Sequence, residues 1–301
     1  MNYGASTGHS SSGSICKRPG RNGAMMGILS LCELPTTLSQ RFIKNLINRF
    51  GIRMIQDEAA WELIEAKYLS PFLRAFKIDC VFDVGANLGE YAIRLRKIGF
   101  KGRILSFEPN PDAVAVLNAL ASHDPRWSVI PLALDSMKRS VEFNVMKGPA
   151  FSSLHDPDHT KTMRFSQLNA INHRIQITTA TLDDLLPSLQ SEYRFSRPFL
   201  KVDTQANDLA VVQGAGSRID QFVGLQSELS FVSLYRNSPL AREALEFYES
   251  LGFRLTALVP NTNGHFPYLY EMDCIMHNSL FNAVQNTLQF PAKSKKYVLH
   301  E

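Results

Sequence analysis

From residue 80 onward, short apolar runs alternate with longer stretches in which apolar side chains recur every three or four positions. Bounded apolar runs read as buried strands, and the amphipathic stretches as helices. The expected strands are CVFDV (80–84), RILSFEP (103–109), WSVIPLAL (127–134), RIQITTATL (174–182), PFLKVD (198–203) and QFVGLQSEL (221–229). The expected helices cover 89–98, 111–121, DDLLPSL (183–189, opening at Thr181), 206–215 and 239–251, the last with Leu240, Ala244, Leu245 and Tyr248 inward. VEFNVM (141–146) reads as an added hairpin. FRLTALVP and YLYEMDCIMH close the chain around the turn-rich NTNGHFP (261–267). This α/β beat predicts a mostly parallel sheet covered on both faces and closed by an antiparallel hairpin.

Ahead of this region, residues 57–76 continue a helical pattern carrying Trp61, Ile64, Leu69, Phe72 and Leu73, with Pro71 as its break. Residues 38–50 place Leu38, Phe42, Leu46 and Ile47 on one face. That face suits either packing across the main domain or peripheral contact with a membrane surface. The expected division is a disordered tail (1–35), a helical segment (36–76), the main domain (77–279) and a polar tail (280–301). The first 24 residues are rich in Gly, Ser and Asn and do not resemble a signal peptide; Met25–Met26 just after them suggests a later start.

Charge sharpens this division. Residues 1–53 hold seven Lys/Arg against Glu33, a net of +6 where the whole chain of 301 residues carries +4. The basic balance thus belongs to the leading segment, and no nucleic-acid partner is expected for the body. The four cysteines form no CxxC pair, which predicts no zinc site and a reducing, cytoplasmic setting. No apolar run reaches the ~20 residues of a membrane span.

The chemistry gathers at VFDVGANLG (81–89). In open parallel sheets, ligands sit beyond the carboxyl ends of the strands. A loop with little side chain there lets a ligand approach the backbone, and the helix after Gly89 offers free N–H groups. Glu108 ends the next strand, nineteen residues past Gly89, where nucleotide-binding folds hold ribose hydroxyls. Nicotinamide dinucleotides and S-adenosylmethionine both carry an adenosine. Asp83 repels a pyrophosphate but attracts an ammonium or sulfonium, and the loop lacks GxGxxG spacing, so the cationic ligand is preferred.

DVGANLGEYA, FEPNP, LKVDTQAND, LQSELSFVSLY and EMDCIM, in this order, resemble the FkbM family of S-adenosylmethionine-dependent methyltransferases over roughly residues 60–278. The resemblance implies a class I methyltransferase (Rossmann-like) fold, a seven-stranded, mostly parallel sheet whose last strand is antiparallel. It also implies S-adenosyl-L-methionine as cofactor. Asp83, Gly85, Asn87 and Gly89 would line the methionine part, Glu108 the ribose, and Asp135 would lie near the adenine; Glu90 would also bind the cofactor, and Ser153 would lie over it. The chain departs from the family at Ala206–Asn207–Asp208, where a glycine, an aromatic and a glutamate are usual, and at Glu271, where glutamine is.

The expected activity is O-methylation of a small hydroxylated acceptor such as a sugar unit of a glycan, glycolipid or secondary metabolite. Asp203 and Glu228, at two strand ends, are the candidate catalytic carboxylates, and His155 a candidate base. Asp203 could instead cap the helix that follows. Asp156, Asp158 and His159 share one loop, but no metal is expected. Two other classes compete: a non-catalytic S-adenosylmethionine-binding module, favoured by Ala206, and a nicotinamide oxidoreductase, opposed by Asp83 and Asn87.

Overall fold

A computed structural model describes residues 60–260 and 268–282. The 38–50 segment, the leading tail, the NTNGHFP turn (261–267) and residues 283–301 of the closing tail lie outside the described residues. The main sheet has seven strands: β1 (Cys80–Val84), β2 (Arg103–Phe107), β3 (Trp127–Ile130), β7 (Pro198–Val202), β8 (Gly224–Ser230), β9 (Phe253–Val259) and β10 (Glu271–Asn278). Their order is β3-β2-β1-β7-β8-β10-β9, and β10 runs antiparallel to both neighbours.

β1 and β7 are wholly buried, as continuous apolar runs covered on both faces should be. Period-two alternation sends Phe82 and Val84 to one face and Val81 and Asp83 to the other. On the first face Phe82 packs against Phe107, Phe195 and Phe222, ring centroids 5.2–5.7 Å apart. Helices α4 (Leu182–Tyr193), α5 (Asp208–Gln213) and α6 (Ala241–Ser250) cover it. Helices α1 (Ala60–Ala75), α2 (Glu90–Lys97) and α3 (Pro111–Ala121) cover the second face through Leu69, Phe72, Leu95 and Leu117. The chain therefore winds one way from β1 and the other way from β7, and the crevice between these adjacent strands is the topological switch point.

Local signals explain most boundaries. Thr181 caps α4 by accepting a hydrogen bond from the Asp184 N–H, and Asn110 caps α3 ahead of Pro111. Four expectations need correction. The WSVIPLAL run is two strands, β3 and β4 (Ala133–Leu134), because Pro131 between them lacks an N–H for the ladder. RIQITTATL does not join the main sheet. It forms β6 (Ile171–Ala180) in a three-stranded sheet between β4 and β5 (Ser140–Met146), because its polar, largely exposed alternation suits a ribbon open to water. Helix α1 runs through Pro71, since Phe72 and Leu73 beyond it are buried in the core. Leu240 is exposed; it precedes α6, whose inner face is Ala241, Ala244 and Tyr248.

No helix among the described residues is long and apolar enough to cross a membrane. Cys80 and Cys274 are free and fully buried, and burial pushes both thiols far up.

Candidate active site

A cavity of about 390 Å³ opens over the switch point. Its floor is the loop after β1 (Gly85, Ala86, Asn87) and the loop after β7 (Asp203, Thr204, Gln205). Glu108 and Asn110 border it on the β2 side, Glu228, Glu271 and Asp273 on the other, and Trp61 of α1 also reaches it.

Glu108 is 6% exposed, with one oxygen accepting from the Asn87 N–H and the other from the Asn110 N–H, both at 2.9 Å. Each oxygen retains a lone pair for a ligand. Burial pushes its pKa up to about 7, against the lowering effect of the two N–H donors. Asn87 holds its N–H in place with φ 46°, a left-handed conformation that asparagine tolerates.

Beneath the loop runs a polar row that the strand register assembles. Ser106, Asp83 and Lys201 are cross-strand neighbours on β2, β1 and β7, and Gln226 on β8 continues the row. The Trp127 indole N–H donates to Ser106 Oγ, which donates to Asp83 Oδ2 at 3.1 Å. Lys201 Nζ stands 3.2 Å from Asp83 Oδ1 and 3.6 Å from Asp203 Oδ2. Burial would depress the lysine, but Asp203 and Asp83 outweigh it and hold the ammonium charged.

Gln205 ties the far wall together. Its amide N–H₂ donates to Asp203 Oδ1 (3.1 Å) and Glu228 Oε2 (3.0 Å), and its side-chain oxygen accepts from the Tyr235 hydroxyl. Gln205 and Ala206 both adopt positive φ, 53° and 81°. The turn that glycine usually serves in the family is thus made with an alanine. Replacing Ala206 by glycine is expected to raise unfolding stability by about 0.5–1 kcal/mol, as relieved strain outweighs glycine's extra unfolded-state entropy; a lower urea midpoint for the variant would refute this.

The family model of the methyltransferase FkbM domain matches residues 83–255, well over half of the chain. The chain belongs to the FkbM methyltransferase family. This family and the sheet topology are those of the S-adenosylmethionine-dependent class I methyltransferases. A 53-residue stretch, 18% of this chain, is 36% identical to ribosomal RNA small subunit methyltransferase H of Chromobacterium violaceum. The matched stretch spans only 16% of that relative's length. Among solved structures, the magnesium protoporphyrin IX methyltransferase of Synechocystis with bound S-adenosylmethionine aligns over 82% of this chain and all of its own, at 9% identity and a TM-score of 0.40. An rRNA methylase from Streptococcus thermophilus aligns over 71% and 94%, at 10% identity and 0.37.

Against the FkbM expectations, Gly85, Asn87, Glu90, Glu108, Asp203 and Glu228 all border the cavity. Five others stand elsewhere. Asp83 is fully buried under the loop, with Lys201 as its counter-charge, and does not itself border the cavity. Gly89 is bare for packing rather than for a ligand: at φ 91° a Cβ would lie 3.1 Å from Leu117 and the Trp127 ring. Asp135 is ion-paired with Arg139 at 2.7 Å, and the residues before it (Leu132, Ala133, Leu134) border the cavity instead. Ser153 is buried, donating to the Gln205 carbonyl at 2.6 Å; Ser152 takes the lining position. The His155 ring sits 3.4 Å from Asn207 Oδ1, off the cavity.

Asp203 does not cap the following helix, whose N-cap position is Asn207 with no side-chain cap; Asp208 in its first turn accepts from the Thr204 N–H and hydroxyl and so holds the preceding loop. Asp156 pairs with Arg174, Asp158 accepts from Thr160, and His159 meets the Asn169 carbonyl. No group of His, Cys, Asp or Glu among the described residues is arranged to hold a metal. Sequence reasoning missed Lys201 and Gln205, although a lysine inside the apolar run PFLKV was a visible signal that some buried charge needs it.

Proposed function

We propose that the chain transfers the methyl group of S-adenosylmethionine to a hydroxyl of a small acceptor, a sugar unit of a glycan, glycolipid or secondary metabolite. The observation that carries this reading is Glu108: a buried carboxylate at the cavity edge, oriented by two backbone donors, with lone pairs left for a vicinal diol. Gly85 and Asn87 line the same cavity as Glu108, beside its free lone pairs, so the residues present fit the cofactor. When bound, S-adenosylmethionine supplies an activated methyl on a good leaving group, so the protein's task is mainly positioning.

Asp203 borders the cavity at the switch point, 39% exposed at its side chain and fixed by Gln205 and Lys201, which suits it to receive the acceptor's hydroxyl proton. Glu228 fits a different task. Burial first, and then the charge of Glu271, raise its pKa well above the carboxylate range, which favours the protonated form that can donate a hydrogen bond to the acceptor. The wall of Asp203, Glu228, Glu271 and Asp273 presents carboxyl groups rather than the Lys/Arg cluster that phosphates require, which supports a small acceptor over a nucleic acid.

Calorimetry with S-adenosylhomocysteine, paired with methyl transfer from labelled cofactor into cell-envelope extract, tests the reading. Glu108→Ala is expected to weaken cofactor affinity by about 1–3 kcal/mol, the value of charge-assisted hydrogen bonds. In the wild type, affinity should strengthen as pH rises through about 7, where Glu108 ionises. Undiminished affinity in a folded variant would place the nucleoside elsewhere. Cofactor binding with no methylated product across a broad acceptor panel would favour a binding module.

A further inference from the structure

We propose that the β8–β10 end of the cavity holds a protonated amine on the acceptor, with Glu271 as its anchor. The inference deepens the methyltransferase reading and rests on it for the placement of the cofactor. Three carboxylates converge there by register. Period two puts Glu271 and Asp273 on one face of β10, and antiparallel pairing sets Asp273 opposite Glu228 on β8. Glu271 is the unusual member. Its side chain is 8% exposed, borders the cavity, and has no hydrogen-bond or ion-pair partner among the described residues. Asp273 accepts one hydrogen bond, from the Gln226 amide, and likewise forms no ion pair among the described residues.

A buried carboxylate without donor or cation is costly, so native proteins pair such groups. The nearby cations are already engaged: Lys201 faces Asp83 and Asp203, and Arg94 binds Glu65 at 2.9 Å. The strain shows in the ionisation. Burial and then the charge of Asp203 push Glu271 up to about 8 and Asp273 up to about 7. An ammonium carries three donors and one positive charge, so it satisfies both oxygens and removes the mutual repulsion; a neutral hydroxyl supplies the donor alone.

The cofactor's own cation does not explain the cluster. From β2, which carries the ribose ligand Glu108, to β10 the sheet advances four strands, about 19 Å at ~4.8 Å per strand. The sulfonium lies two covalent bonds from the ribose ring and the α-ammonium six, both well short of that span, so the β10 carboxylates face the acceptor side.

The test is calorimetry of the full chain with three hexosamines (glucosamine, galactosamine, mannosamine) against their N-acetyl forms, with and without saturating S-adenosylhomocysteine. At least one hexosamine should bind about tenfold or more tighter than its N-acetyl partner. Glu271→Gln should shrink that preference to about twofold or less, while S-adenosylhomocysteine still binds. Asp273→Asn should weaken it as well, and serves if Glu271→Gln does not fold. The proposal is overturned if no hexosamine outbinds its N-acetyl form, including if none binds, or if the preference survives in Glu271→Gln. Failure to bind S-adenosylhomocysteine would instead count against the methyltransferase reading, and the titrations without it would still decide the amine.

Discussion

Lys201→Met is expected to cost about 3–5 kcal/mol of unfolding stability, the usual penalty for stranding one partner of a buried ion pair. Asp83 is fully buried in the middle of the sheet, and its Oδ1 accepts no hydrogen bond in the structure. The Lys201 ammonium 3.2 Å away is what offsets its charge. A methionine fills similar volume and leaves the carboxylate to protonate or draw in water. The companion double variant Asp83→Leu/Lys201→Met, which removes both charges, should recover more than half of the loss, because neither group is then stranded. Urea unfolding monitored by circular dichroism reads both values. A loss below about 1 kcal/mol in the single variant, or no recovery in the double, would mean that the pair contributes little.

Gly85→Ala should be nearly as damaging, at about 2–5 kcal/mol, from two costs that add. Gly85 has φ 74°, where an alanine is strained by about 1–2 kcal/mol. A Cβ there would also lie 1.9 Å from the Asp203 carbonyl oxygen, a backbone atom that cannot step aside without moving β7. Overpacking of this kind typically costs a further ~1–3 kcal/mol. Gly99→Ala isolates the first cost: φ is 87°, but nothing lies within 4 Å of the added carbon. It should therefore lose only about 1–2 kcal/mol. Equal losses at the two positions, measured by thermal unfolding, would show that the β1 and β7 loops do not approach as closely as described.

Gly85 also changes the meaning of the glycine loop. Its bare backbone is required by the chain itself, because the loops that leave β1 and β7 in opposite directions nearly touch. Gly89 is bare because Leu117 and Trp127 press on it. Closeness to a ligand is a by-product of closeness between strands at the switch point, and the cavity exists because neither loop can fill it.

What the chain's own pattern determined is the part governed by local physics. Runs such as CVFDV and PFLKV are apolar but for one residue each and so read as central strands, and Thr181 and Asn110 with Pro111 mark helix starts by chemistry that acts over three or four residues. Because each strand ends where its helix begins, Glu108, Asp203 and Glu228 could be assigned to one rim from the beat alone. Register between distant strands was not encoded in any such window. That Asp83 meets Lys201, and that Asp273 stands opposite Glu228, depend on which strands become neighbours and on one-residue alignment between them. A one-residue slip would turn every one of these side chains to the other face, so only the folded sheet decides which carboxylates are neutralised and which face the cavity.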